Sequence, residues 1–320
     1  ELPGKRVWFF PSPGASLDVV GFNLHEEGPE PFKDVRVRKA IAAAINRTTI
    51  AEVVYYGRVE ALETCVSHAP ATLMYYPENK QPDYNITEAE RLLDEAGYPR
   101  GADGIRFSCR ITVDSVAYPW YLKEAELIRD FLGEVGISVE VIALETAAWH
   151  ETVFKNWDFD ISIFPFVHGP GPTYLIRYYT ARGIARASWS NAMGYSNPAY
   201  EELVYAAEKE VNRTREIEIM KQALNILVDD QPAVWTCSRT FAAAVDLDFS
   251  DEYQPGVWEN GFGTGYMRVE KVYWTKAPIQ QPGQTIEVPY IPDWVYIVVA
   301  ASVIITVGAI IFAVRKSRKS

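Results

Sequence analysis

This 320-residue chain is poor in the residues that metal and covalent chemistry need: four His, three Cys and four Met. His25, His68, His150 and His168 stand apart, with no His-Glu-x-x-His and no Cys-x-x-Cys, which argues against a metal site. There is no Gly-x-Ser-x-Gly elbow and no phosphate loop. Gly261-Phe262-Gly263-Thr264-Gly265 is glycine-rich but lacks the helix-opening context of a nucleotide site. No cofactor is expected, and the chain is read as a non-enzyme. One acid pair keeps an alternative open. Asp158 and Asp160, at i and i+2 where a strand starts, share a face, as a surface-anchored hydrolase of sugar polymers or peptides would need. Cys65, Cys109 and Cys237 are compatible with one disulfide and one free thiol, and the pairing stays open.

Positive charge is also scarce. The formal net charge is −11, and four of the cations fall in the last six residues. Without those four, 27 Lys+Arg face 42 Asp+Glu, a balance near −15. Nucleic acid and anionic lipid need basic patches, so neither is expected as a partner.

Aromatic residues are plentiful, with 9 Trp, 19 Tyr and 14 Phe. Such rings build cores, and they also build carbohydrate- and peptide-binding clefts. Trp294 to Val314 is a run of 21 residues without a charge. At about 1.5 Å per residue it is long enough for a hydrocarbon core of about 30 Å. Trp294 and Tyr296 sit where an interfacial belt would be, and Arg315, Lys316, Arg318 and Lys319 form a cytoplasmic stop cluster. A single-pass membrane helix is therefore expected, with 1–293 outside the cell and 315–320 as a basic cytoplasmic tail. Sequons at Asn46, Asn85 and Asn212 agree with exposure outside, although such Asn residues also cap helices.

Between them lies an α/β pattern. Strands are expected at Val7–Phe10 and Val19–Asn23, split by a Pro/Gly loop. Asp34 caps a helix whose Val37, Ala40, Ile41, Ala44 and Ile45 form one apolar face. Asn46 caps a second helix, Thr48 to Tyr56, stopped by Gly57. Thr87-Glu88-Ala89-Glu90 reads as a capping box for a helix that ends at Gly97. A βαβ unit follows: strand 105–113, helix Tyr118–Leu132, a break at Gly136 and strand Ile137–Leu144. Then come a helix over 146–156, a strand Phe159–Phe166, helices at 198–211 and 214–230, and a strand-rich tail from Ala233 to Trp274. A Pro-spaced linker, 276–293, would hold the globule at most roughly 50 Å from the membrane.

Two of these segments carry a family resemblance. Pro31-Phe32-Lys33-Asp34-Val35-Arg36-Val37-Arg38-Lys39-Ala40, leading into Ala44-Ile45-Asn46-Arg47, resembles the signature of the family 5 solute-binding proteins. These are extracytoplasmic receptors of ABC importers for peptides, nickel and oligosaccharides. Ala89-Glu90-Arg91-Leu92-Leu93-Asp94-Glu95-Ala96-Gly97-Tyr98-Pro99 is similar to a second hallmark of that family, in the right order. The resemblance implies a periplasmic-binding-protein-like α/β fold (type II, two-lobed), of which mainly one lobe is present here, plus the C-terminal transmembrane helix. Mapped onto this chain, 1–13 connects from a missing first lobe, 14–232 is the second lobe and 233–275 returns to the first. The start at Glu1 without a signal peptide then predicts that an N-terminal part is missing, and C-terminal anchoring suggests an archaeal cell surface. Permease subunits of an ABC importer are the implied partners.

The segment from Phe164 to Tyr179 follows a strand end, where open α/β sheets bind ligands. His168, Thr173, Tyr174 and Arg177 are its candidate ligand-binding residues, with Thr173 read as a helix cap; Trp149, Trp189 and Asn191 are further candidates. Peptide-binding members carry an acidic sequence at this place, whereas this chain has His168-Gly169-Pro170-Gly171-Pro172. That absence, and the Gly-Pro-Thr-Tyr run, resemble oligosaccharide-binding relatives more closely. For a sugar, Trp149, Trp189, Asn191, Tyr195 and Trp258 would supply rings and hydrogen bonds. An oligosaccharide or an oligopeptide is the expected solute.

Overall fold

Alternating strands and helices wind into a three-layer α/β arrangement in the computed structural model, which describes residues 7–68, 72, 74–169 and 171–246. The expected linker, membrane span and tail lie outside those residues, as do Trp258 and Gly261–Gly265. No described helix is long and apolar enough to cross a membrane. The strands are β1 (Val7–Phe22), β2 (Glu60–Ala61), β3 (Phe107–Asp114), β4 (Ile137–Leu144), β5 (Ile161–Val167) and β6 (Ala233–Asp246). They form one mixed sheet in the order β2-β6-β1-β5-β3-β4. As the βαβ reading requires, β3 is parallel to β4, and it is also parallel to β5. β1 runs antiparallel to both β5 and β6.

Helices cover both faces. On one face lie α1 (Val35–Ala44), α2 (Arg47–Val53), α3 (Ile86–Glu95) and α4 (Trp120–Glu134). Val37, Ala40, Ile41 and Ala44 of α1 meet Ala125, Ile128 and Leu132 of α4 over Ile111, Val113, Ile161 and Ile163 of the sheet. On the other face lie α5 (Thr146–Trp149, continued by a π-helical turn His150–Asn156), α6 (Thr173–Tyr179), α7 (Pro198–Lys209) and α8 (Arg213–Asp230). Their core joins Trp149, Phe154, Tyr179, Tyr200 and Leu224 to Phe164, Phe166 and Trp235. Each large side chain buried this way contributes about 1.5–3 kcal/mol, so the two apolar layers hold the lobe together.

Both hallmark segments turn out to be architectural. Asp34 accepts the Arg36 backbone N–H at 2.8 Å, as an N-cap should. Arg36 Nη1 donates to the Glu95 carbonyl at 2.7 Å, tying α1 to the end of α3. Arg38 is buried and donates to the carbonyls of Phe32, Lys33, Asp230 and Gln231, locking the start of α1 to the end of α8. In the second hallmark Ala89 and Leu93 are buried, and Gly97 takes the left-handed φ of +90° that ends α3. Asn46, Asn85 and Asn212 all act as N-caps through Oδ1.

Several local expectations are corrected. The cap of α3 is Asn85, two residues before Thr87, because its carboxamide reaches the Glu88 N–H at 3.0 Å. Thr173 is the first residue of α6 rather than its cap; Pro172 holds that place without a side-chain bond. The two strands expected at the N-terminus are one, β1. Among the described residues its first half pairs only with β6, so Pro11 and Pro13, two residues apart, can turn their missing N–H groups away from that partner. A register shift between Pro13 and Leu17 absorbs the Pro-Gly sequence as a bulge. All three cysteines are free and buried, and burial pushes the Cys65 and Cys109 thiols up to about 12.

Candidate functional site

The C-terminal ends of β3, β4 and β5 lie at one edge of the sheet. β6 runs in the same direction as β5, and Leu17 of β1 pairs with both Phe166 and Ser238, so Arg239 reaches that edge too. Polar groups gather there, and several lack partners. Asp114 ends β3. Its Oδ1 accepts the N–H groups of Val116 and Ala117 and the Thr146 hydroxyl, at 2.9–3.0 Å. Its Oδ2 is buried with no hydrogen-bond partner, as are Trp120 Nε1 at the start of α4 and His150 Nδ1 beyond β4. Arg239 Nε is the fourth such atom at this edge, out of seven among the described residues. Native folds satisfy nearly all buried polar groups internally or with water, and these four atoms have no hydrogen-bond partner among the described residues.

Beside Arg239 lies a buried acid pair that no sequence pattern announced. Asp18 of β1 accepts from Tyr121 at 2.5 Å and from Tyr55 at 2.8 Å. Tyr55 Oη is also 2.8 Å from Glu124 of α4, and Thr236 Oγ1 is 2.7 Å from Glu124 and 3.1 Å from the Asp18 carbonyl. Tyr55 and Thr236 bring two hydroxyl protons to four contacts, and a neutral Glu124 adds a third, shared with one of the two hydroxyls. Burial, reinforced by the charge of Asp18, pushes the Glu124 carboxyl up to about 8. Arg239 Nε sits 3.2 Å from Asp18 Oδ1 as an ion pair, and its guanidinium carbon lies 5.8 Å from the Tyr118 ring centroid.

The residues singled out from sequence fall in three places. Trp149 and Trp189 come together, 6.0 Å between ring centroids, with His150 and Phe154 packed against Trp189. Trp149 is wholly buried, its Nε1 donating to Ser162 at 3.0 Å. Trp189 is half-buried at a φ of +64°, uncommon for a bulky residue; Arg177 Nε clamps its carbonyl at 2.5 Å. Asn191 is buried behind the same loop, donating to the Thr180 and Tyr195 carbonyls. Thr173 and Tyr174 lie on the outer part of α6, exposed and half-buried. His168 stands apart from these, in the core. Its Nδ1 donates to the Cys65 carbonyl at 2.8 Å, and its Nε2 accepts from Tyr179 at 3.3 Å. Tyr179 in turn accepts from Trp235 Nε1 at 3.1 Å. Burial lowers the His168 imidazole to about 4, so it is neutral at ordinary pH.

Asp158 and Asp160 lie at the opposite end of β5. Arg110 Nη2 bridges them at 3.0 and 3.1 Å, and Asp160 also accepts the Arg110 backbone N–H. A depression of about 360 Å³ there is lined by Ser108, Arg110, Ser138, Glu140 and Asp160. Acids already paired with a guanidinium are poorly placed to exchange protons with a substrate.

A mixed α/β lobe, with polar groups left open at one edge of its sheet, defines a binding domain of the periplasmic-binding-protein-like fold. Residues 2–185 match the bacterial extracellular solute-binding proteins, family 5 middle, and the chain belongs to that family. It is 24% identical to the dipeptide-binding protein of Escherichia coli over 242 residues, 72% of this chain and 42% of that protein. It is 25% identical to heme-binding protein A of Haemophilus influenzae, over 71% of this chain and 40% of that one. Among solved structures, HbpA2 of Haemophilus parasuis superposes with a TM-score of 0.72 at 20% identity, covering 84% of this chain and 50% of that one. A Helicobacter pylori periplasmic binding protein, solved with the peptide STSA, superposes with a TM-score of 0.68 at 22% identity, covering 86% and 50%. The chain therefore spans about half the length of the proteins it matches.

Proposed function

We propose that this chain forms a solute-capturing lobe of an extracytoplasmic receptor for an ABC importer, and that its solute is a short peptide. The observation that carries the reading is that polar atoms of Asp114, Trp120, His150 and Arg239 without a hydrogen-bond partner among the described residues lie at one sheet edge. A peptide brings matching groups: backbone N–H and C=O, an ammonium and a carboxylate. Relatives named as dipeptide- and di/tripeptide-binding proteins favour the same class. The loop from Val167 to Pro172 has no carboxylate for an ammonium, and Asp114 Oδ2 offers one nearby on the end of β3. Capture would proceed by binding and closure, the closed form gaining contacts that the open one lacks. Residues 294–314 would tether the receptor to the membrane, with the permease as its partner.

Calorimetry on the full-length protein with a di- and tripeptide panel and an oligosaccharide panel tests this. Saturable binding of peptides is expected; binding of sugars alone would overturn the peptide class, and binding of neither would overturn the receptor reading. Asp114→Asn keeps Oδ1 for the turn at Val116 and Ala117 and removes the charge. It is expected to weaken peptide binding roughly 10- to 100-fold, the worth of a charge-assisted hydrogen bond. An unchanged affinity would remove Asp114 from the site.

A further inference from the structure

The buried arginines of this fold differ in one respect. Arg38 spends its donors on four backbone carbonyls, and Arg47 donates to those of Ala42 and Pro82. Arg106, whose side chain is almost wholly buried, donates to the carbonyls of Val135 and Tyr98 and pairs with Asp94. These are structural clamps. Arg239 carries the same five N–H groups and makes no hydrogen bond among the described residues; its Nε faces Asp18 at 3.2 Å without hydrogen-bond alignment.

Its setting explains how such a group is kept. Asp18 supplies the counter-charge, Tyr55 and Tyr121 hold Asp18 in place, and the Tyr118 ring lies against the guanidinium. The side chain is 23% exposed while Asp18 is fully buried, and Arg239 Nε is itself buried, so the exposed part of the side chain lies away from Nε. Burial holds Glu124 neutral, and the cluster of Asp18, Glu124 and Arg239 then carries no net negative charge to repel an anion. A planar fork paired on its Nε side, with no hydrogen bond from its Nη atoms among the described residues, matches a carboxylate, which takes two parallel N–H bonds.

We infer that Arg239, steadied by Asp18 and Tyr118, is the anchor for a carboxylate on the captured solute. The inference rests on the solute-receptor reading and narrows it, because neutral solutes would leave this fork unused. A peptide C-terminus and an acidic sugar share that chemistry, and the test separates them.

The probes are trialanine, trialanine amide, trigalacturonate and the neutral cellotriose, titrated calorimetrically into the full-length protein and its Arg239→Gln variant. Trialanine is expected to bind about 10- to 100-fold more tightly than its amide, the span of one charge-assisted pair. Arg239→Gln should erase that ratio, and Arg239→Lys should restore part of it. The same ratio for trigalacturonate over cellotriose, with no peptide binding, would support the anchor while overturning the peptide class. Equal binding of both members of each pair by the unaltered protein would overturn the anchor and leave the receptor reading standing, without depending on whether a variant folds. A ratio that survives Arg239→Gln would overturn it too. No binding of any probe would overturn both.

Discussion

Glu124 and His168 are both buried ionisable residues held neutral, and they make opposite demands on pH. Glu124 is an acid whose folded value, about 8, lies above its ordinary 4.5. Between those values the folded state holds one more proton than the unfolded state. Stability from this group is complete below about pH 4.5 and is lost as pH rises to 8, at a slope of about 1.4 kcal/mol per unit at most. Glu124→Gln keeps a donor for Tyr55 or Thr236 and removes the titration. The unaltered protein should therefore lose urea stability from pH 5 to 8 more steeply than the variant; identical slopes would place the Glu124 proton elsewhere. His168 works the other way. Its imidazole is lowered from 6.5 to about 4, so its contribution is present above 6.5 and is lost as pH falls toward 4. His168→Gln should be less stable at pH 7 and show a shallower acid loss between 6.5 and 4, measured by denaturant midpoints. Neither residue's state was legible in the sequence. Glu124 meets Thr236 across 112 positions, and His168 meets Cys65 across 103, with no local pattern to join them.

The elements themselves were far more legible, for a physical reason. Caps, periodicity and glycine stops act within a turn or two, so β4 spans the expected Ile137–Leu144, and Asp34 and Asn46 cap the helices they were expected to cap. What escaped depended on distant partners: β2 is two residues that exist only as a pairing with β6, and the continuity of β1 depends on β6 lying beside it. The hallmark that identifies the family sits at this scale as well. Asp34 contributes one exposed cap, while Arg38 satisfies four carbonyls at the junction of α1 and α8. Asp34→Ala should cost about 1 kcal/mol, as caps do. Arg38→Met should cost about 3–5 kcal/mol, because it leaves buried carbonyls without donors. Urea denaturation orders the two, and a smaller loss for Arg38→Met would mean that water replaces the guanidinium.

Across the whole described lobe, β1 and β6 do two jobs. From Ser16 to Phe22, β1 is central, flanked by β5 and β6; from Val7 to Pro13 it pairs, among the described residues, with β6 alone. Among the described residues the pair thus leaves the sheet as a two-stranded ribbon, at the edge where Asp114 and Arg239 stand. A two-stranded ribbon is only marginally stable by itself, whereas the central stretch is held by neighbours on both sides and by helices on both faces. Amide exchange should therefore be faster in Val7–Phe10 and Phe241–Asp246 than in Leu17–Gly21 and Val234–Cys237. The ion pair from Asp18 to Arg239 lies where the ribbon joins the sheet, so a solute drawing on Arg239 also acts on that junction. Binding should slow ribbon exchange and leave the central strands nearly unchanged. Equal slowing throughout would mean that the solute stabilises the fold as a whole. Slowing confined to the α5–β5 side would mean that it is gripped by the Trp149–Trp189 cluster without engaging the ribbon.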